Sequence, residues 1–477
     1  MISFTLCLLA LVTGYFLYGR VVERIFKPDF NRTTPALRKE DGVDFVVLPG
    51  WKIFTIQFLN IAGLGPIFGA IMGAKFGTAS YIWIVFGCIF AGAVHDYLSG
   101  MLSLRRDGVG LPELIGEFLG LTTKQVMRVF SILLLILVGA VFISGPAGLL
   151  ANLTPGVLDT TFWIIVIFLY YILATMLPID KIIGRIYPVF AVALLFMAAG
   201  ILTMLFVKFP ALPEFWDEGG LKNLVPEQPV FPLMFISIAC GAISGFHATQ
   251  SPLMARCMKN ERQGRPIFYG AMITEGVVAL IWAAAATYFF HSSPENLAVT
   301  NAAIVVNDIS YSWLGTAGGV LAILGVIAAP ITSGDTALRS ARLIVADMLR
   351  IPQKSILKRI YICIPIFGVC LAILLFSTSN PEGFNIIWRY FAWANQALSV
   401  FTLWAVTVWM FRSRRAFIIT LVPALFMTWI CSTYLFFAPE CLDMDYSISL
   451  VLGTACMLIG AVWFGIKAAR LPRDLSE

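Results

Sequence analysis

The chain has 477 residues, of which 59% are hydrophobic and 13% charged, with a mean hydropathy of +0.87. That balance excludes a soluble globular domain and marks a polytopic α-helical membrane protein. The net charge of +6 is not a nucleic-acid signal, because the basic residues sit in short loops between apolar runs.

Apolar runs of the length that crosses a hydrocarbon core, about twenty residues, recur about thirteen times. They fall at 2–18, 54–73, 79–104, 126–150, 160–177, 187–207, 231–248, 267–290, 314–333, 360–376, 385–411, 416–437 and 447–466. The first run lacks a basic start and a small-x-small cleavage site, so it is expected to be a retained helix rather than a removed signal. Of the 33 Lys and Arg residues, all but Lys75, Lys208, Lys222 and Arg389 fall in alternate loops. That set includes Arg339 and Arg342, read as a loop after the ninth run. The opposite loops carry acids, among them Glu214, Glu295, Glu382 and Asp443. The asymmetry predicts an outside N-terminus and a cytoplasmic C-terminus. The partner of Arg389, inside the eleventh run, cannot be named from sequence.

Two runs are interrupted. The second contains IAGLGPIFGA, with Gly63, Gly65, Pro66 and Gly69; the seventh contains IACGAISGFHA, with Gly241, Ser244 and Gly245. Glycine and proline weaken a helix, and a broken helix in a bilayer is tolerated where it lines a cavity or is buried in protein. Five spans separate the two, an odd number that inverts their orientation. The prediction is a LeuT-type five-plus-five inverted repeat with one extra N-terminal and two extra C-terminal helices. Its parts are 1–53 (first helix and cytoplasmic loop), 54–207 (first repeat), 208–411 (second repeat) and 412–477 (two C-terminal helices). The glycines, Pro66 and Ser244 are the candidate substrate-binding residues, a half-helix N-terminus there favouring a carboxylate. The alternative is a plain kink without a site.

Thr332, Ser333, Asp335 and Thr336 offer hydroxyls and a carboxylate at the end of the ninth run. With carbonyls near Ala62 they could hold a coupling Na⁺ or H⁺; the alternative is a helix-end cap with Asp335 paired to Arg339. Glu275, an acid inside the eighth run, is a second coupling candidate. His95, Asp96 and His247 lie near the cytoplasmic ends of their runs and are candidate gate residues. No short metal-ligand spacing links them, and the cysteines show no CxxC pair, so no metal and no cofactor beyond the coupling ion is expected. Cys240 reads as a small buried hydrophobe. Trp393, Asn395 and Gln396 bring indole and amide groups into the eleventh run, with structure the favoured reading.

The stretches IAGLGPIFGA, AGAVHDYLSGMLSLRRDG, FPLMFISIACGAISGFHA, GDTALRSAR and WANQ, in that order, resemble the carbon starvation protein A (CstA) family. The resemblance covers most of the chain. It implies a bacterial inner-membrane transporter of the amino acid–polyamine–cation group, linked to peptide uptake on carbon starvation, with some members carrying pyruvate with protons. Long members place two histidines just before IAG, where this chain has Ile56 and Gln57. They also carry extra helices where residues 208–230 make a short connection, so this chain resembles the shorter form. The expected function is a secondary active importer of a peptide or pyruvate-like carboxylate, not an enzyme. The alternatives are a nutrient-binding sensor, or an intramembrane enzyme with a metal at His95, Asp96 and His247. The expected partners are a small-molecule substrate and the lipid bilayer, with no nucleic acid. No phosphate loop is visible, which argues against ATP drive.

Overall fold

The computed structural model describes residues 1–42, 44–176, 183–353, 355–380 and 382–470. The loop readings at Lys181, Lys354 and Arg473, and the end of the fifth run at Leu177, fall outside them, as does the side chain of Arg185. All regular structure among the described residues is helical, as a bilayer demands of a chain that must satisfy its own backbone polar groups.

A first span, α1 (Ile2–Phe26), stands on the lipid-facing side of the bundle. The second is broken: α2 (Gly50–Ile61) and α3 (Gly65–Phe76) meet at 53°. Then come α4 (Ala79–Arg105), a short α5 (Leu111–Leu119), α6 (Leu121–Leu153), α7 (Thr160–Met176) and α8 (Ile183–Lys208). The second broken span comprises α9 (Val230–Ser237), α10 (Ala239–Ala242) and α11 (Gly245–Ala255). It is followed by α12 (Glu261–Ser292), α13 (Ala302–Leu349), α14 (Ile356–Ser379) and α15 (Gly383–Arg412), then a terminal pair, α16 (Ile418–Phe437) and α17 (Tyr446–Arg470). Among the described residues, ten helices are long and apolar enough to cross a membrane, eleven with the bent pair. The fifth and seventh sequence spans, α7 and α9–α11, fall short of that criterion.

The two broken spans cross at the centre. Gly65, Gly69 and Gly73 of α3 recur every four residues and so form one face. A β-carbon on them would lie 2.3 Å from Cys240 Sγ, 2.5 Å from the Ser237 carbonyl and 2.2 Å from Ile238 Cγ1 respectively. Glycine lets the backbones approach, as small residues do in membrane helix pairs. The sequence reading expected one unwound stretch from Gly63 to Gly69. The break is shorter, at Ala62–Leu64, and Gly65–Gly69 is already helical with π-type turns.

The largest difference from the sequence reading lies in α13. The ninth run was expected to end at Ser333. The helix instead runs to Leu349, interrupted only at Gly315, whose φ of 67° suits glycine. Arg339 and Arg342 therefore sit inside a helix, 1% and 0% exposed, and not in a loop. Their donors have a use there. Arg339 donates to the Ala174 carbonyl at 2.6 Å, Arg342 to Thr175 at 3.1 Å, and Arg359 of α14 to Met176 at 2.8 Å. These are the last described residues of α7, so three guanidiniums from α13 and α14 gather on its carbonyls there.

Candidate functional site

The polar centre begins on α4. Asp96 is fully buried, and its two carboxylate oxygens accept from two imidazoles: His95 Nδ1 at 2.8 Å and His247 Nδ1 at 2.9 Å. His247 belongs to the first turns of α11, so the bond joins α4 to the second broken span. Its other nitrogen, Nε2, lies 3.4 Å from Glu275 Oε2 of α12. His95, Asp96, His247 and Glu275 are each 0% exposed. The sequence reading put the histidines and Asp96 in a gate and Glu275 in a coupling site; the structure brings all four into one row.

The break above His247 is held by Asn395. Its Oδ1 accepts from Ser244 Oγ at 2.9 Å and from the Phe246 N–H at 2.7 Å, and its Nδ2 donates to Cys240 Sγ at 3.1 Å. Ser244 has the extended conformation of an N-cap residue, but its hydroxyl turns to Asn395 and the amide of α15 satisfies a donor of α11 in its place. Gly245 is required here: a β-carbon would come within 2.4 Å of the Ser399 nitrogen and 2.5 Å of the Asn395 carbonyl oxygen. Gly241 faces Ala279 of α12 at 2.6 Å by the same measure, and Pro66 lies buried two residues beyond the first break.

The other coupling candidates form a separate corner. Ser333 Oγ donates to the Leu59 carbonyl at 2.6 Å, tying α13 to the end of α2 beside Ala62 and Gly63. Thr332 and Thr336 donate back to carbonyls of their own helix, Ala329 at 2.7 Å and Ser333 at 3.0 Å. Asp335 is fully buried and accepts from Tyr170 at 3.0 Å. It is a mid-helix acid facing α7, and not a helix-end cap. Sequence reasoning missed Gln57 and Asn60 on α2, buried amides with no hydrogen-bond partner among the described residues. An amide pair three residues apart inside an apolar run was the available signal.

A polar cavity of about 490 Å³ opens at the end of the bundle where the acidic connections lie, lined by Phe68, Ser144, Thr161, Asn301, Glu382 and Asn385. Below it, rings step toward His247: Phe68–Trp388 at 5.8 Å, Trp388–Phe391 at 5.4 Å, Phe391–Phe142 at 5.7 Å and Phe142–Phe246 at 6.2 Å. The opposite, basic end is crossed by ionic and polar bonds. Arg105 holds Glu261 through two bonds of 3.0 and 2.9 Å, and Arg256 reaches the Gly108 carbonyl at 2.8 Å. Arg389 finds its carboxylate in Glu440, 3.3 Å away at the acidic end.

The family model described as "Carbon starvation protein CstA" matches residues 1–158, 148–312 and 286–434. The chain belongs to the CstA family. A Haemophilus influenzae membrane protein is 45% identical over 61% of this chain and 92% of its own length. The Campylobacter jejuni peptide transporter CstA is 30% identical over 63% of the chain, which spans about half (52%) of that relative. The Escherichia coli pyruvate/proton symporter BtsT is 28% identical over 60% of the chain and 49% of its own length. Among solved structures, a manganese transporter from Eremococcus coleocola aligns over 90% of the chain and 99% of its own, at TM-score 0.53 and 13% identity. MhsT in complex with L-phenylalanine aligns over 87% and 98%, at TM-score 0.54 and 13% identity. Such low identity shows the fold alone, and that fold is the LeuT type. This CstA-family chain is a multi-pass bacterial inner-membrane transporter and not an enzyme.

Proposed function

We propose that this CstA-family chain imports a small carboxylate-bearing nutrient, a peptide or a pyruvate-like acid, by alternating access coupled to a cation. One observation carries the reading. Two broken helices cross at Gly65 and Cys240, under a polar cavity open at one end and above ion-paired contacts at the other. This is the arrangement that inverted-repeat transporters use to expose a midplane site to one side at a time. The acidic end is then the outside, with the N-terminus there and the C-terminus in the cytoplasm. Broken-helix backbone at Gly241 and Gly245 supplies donors for the substrate. Ser333, Thr332 and Asp335, with carbonyls of Ala62 and Gly63, hold the coupling Na⁺ or H⁺.

The test is uptake into proteoliposomes. Labelled pyruvate and a labelled dipeptide are offered under an inward proton gradient or an inward Na⁺ gradient, with Asp335→Asn alongside. Accumulation of one compound under one gradient, lost in Asp335→Asn, names substrate, ion and coupling acid together. Binding of either compound without accumulation under any gradient refutes the importer and favours the sensor.

A further inference from the structure

The row from Asp96 to Glu275 leaves buried polar atoms without partners. An ionised carboxylate only accepts hydrogen bonds, so His247 meets Asp96 through Nδ1–H and turns Nε2 toward Glu275. That nitrogen makes no hydrogen bond, and neither does either oxygen of Glu275. His247 Nε2 and Glu275 Oε2 face each other at 3.4 Å in a site without solvent exposure. Buried polar atoms without partners are costly, so a bridging group belongs between them.

A third atom points to what that is. Cys240 Sγ, a ring nitrogen of His247 and a Glu275 oxygen all lie within 4.8 Å of one another, on three separate helices. The Asn395 amide donates to the sulfur at 3.1 Å, the arrangement a thiolate favours. Distance argues against a proton alone. A charge-assisted N–H···O bond closes to about 2.7–2.9 Å. Nitrogen and oxygen bound to one tetrahedral zinc, each about 2.05 Å from it, are about 3.4 Å apart. The separation here is 3.4 Å. Charge agrees: a thiolate and a carboxylate balance a divalent ion, leaving Asp96 to the imidazoles.

We infer that Cys240, His247 and Glu275 form a three-ligand site for a thiophilic divalent ion of the zinc class. Thiolate, imidazole and carboxylate together favour such an ion over magnesium or calcium. Asp96 is the outer partner that fixes the tautomer and orientation of His247, with His95 behind it. Three protein ligands leave a coordination position open, as in sites that exchange a ligand. Spacing rules did not find the site because its ligands come from α10, α11 and α12. The inference does not depend on the transport reading, and its test uses no transport measurement.

Purified full-length protein, stripped with chelator, is titrated with Co²⁺ and then Zn²⁺. The expected result is one equivalent of Co²⁺ with a thiolate-to-cobalt charge-transfer absorption that Zn²⁺ abolishes. X-ray absorption of the wild type should resolve one sulfur neighbour at about 2.3 Å among nitrogen and oxygen at about 2.0–2.2 Å. Cys240→Ser should lose the charge-transfer band, and Glu275→Gln and His247→Gln should each weaken binding at least tenfold. Asp96→Asn should weaken it by about ten- to a hundredfold. Cys88→Ser, altering a neighbouring thiol that donates to the Met272 carbonyl, should change nothing. A wild type that takes up no stoichiometric ion overturns the inference, whatever the folding of the variants. So does binding of equal strength, with the same absorption, in Cys240→Ser.

Discussion

Replacing Gly73 by alanine tests whether α3 and the second broken span are locked by contact. The new β-carbon would lie 2.2 Å from Ile238 Cγ1 and 2.6 Å from Cδ1, while Cβ is 3.7 Å away. Ordinary carbon contacts are about 3.5–4.0 Å, so one helix must retreat by more than about 1 Å. Ile238 is fully buried and branched at Cβ, which limits its escape. Overpacking of this kind costs about 1–3 kcal/mol, reduced by up to about 1 kcal/mol by alanine's better helix propensity. Ile238→Ala removes both clashing atoms and alone costs about 2–4 kcal/mol for the cavity it leaves. In that background Gly73→Ala should be neutral or mildly stabilising, because its methyl enters the vacated space. The double-mutant cycle should thus show a coupling of about 2 kcal/mol, read from reversible unfolding in mixed micelles. A coupling below about 0.5 kcal/mol would refute the crossing as drawn.

Other consequences follow from single contacts. Asn395→Ala removes three hydrogen bonds from the second break and should destabilise by about 2–4 kcal/mol in the same assay. Gln396→Ala, which loses one bond to the Phe235 carbonyl, should cost less than half as much. Arg359→Leu removes a donor from the Met176 carbonyl and should raise hydrogen exchange at the end of α7 while leaving α17 unchanged. Glu113, on the short α5 outside the spans, is pushed up by partial burial. Lys124 and Arg128 outweigh that and hold it below its ordinary 4.5. A depressed carboxyl stabilises above 4.5 and loses that contribution as pH falls through its folded value. Glu113→Gln should therefore lower stability at neutral pH and converge with the wild type at acid pH, which flattens the acid limb of the stability–pH curve.

Much of the fold was legible because lipid permits few solutions. Apolar run lengths and the alternation of Arg and Lys give the helix order, and two glycine-broken runs five spans apart give the inverted repeat. The errors concern residues whose charge is answered from another helix. Arg339 and Arg342 read as loop residues because an arginine within a span is expensive unless something accepts its protons, and the acceptors are carbonyls of α7. In the site, Asp96, His247 and Glu275 stood out as costly residues in apolar runs. Their convergence did not, since nothing in the local sequence of α4 encodes its distance from α12. Cys240 was invisible for the opposite reason, as a buried thiol is an ordinary core residue until its neighbours are known.

The positive φ at Gly315 frees α13 to act as a lever. Below that hinge, the uninterrupted helix runs to Leu349, about 34 residues and so about 51 Å at 1.5 Å per residue. A hydrocarbon core is only about 30 Å thick, so the helix overshoots it by about 20 Å. Ser333, which grips the end of α2, lies about halfway along. A swing of about 10° about Gly315 would move Ser333 by about 5 Å and the far end by about 9 Å. A small adjustment at the first helix break would thus emerge nearly doubled at the basic face. There it would bear on Arg342 and the neighbouring Asp44, 3.8 Å apart.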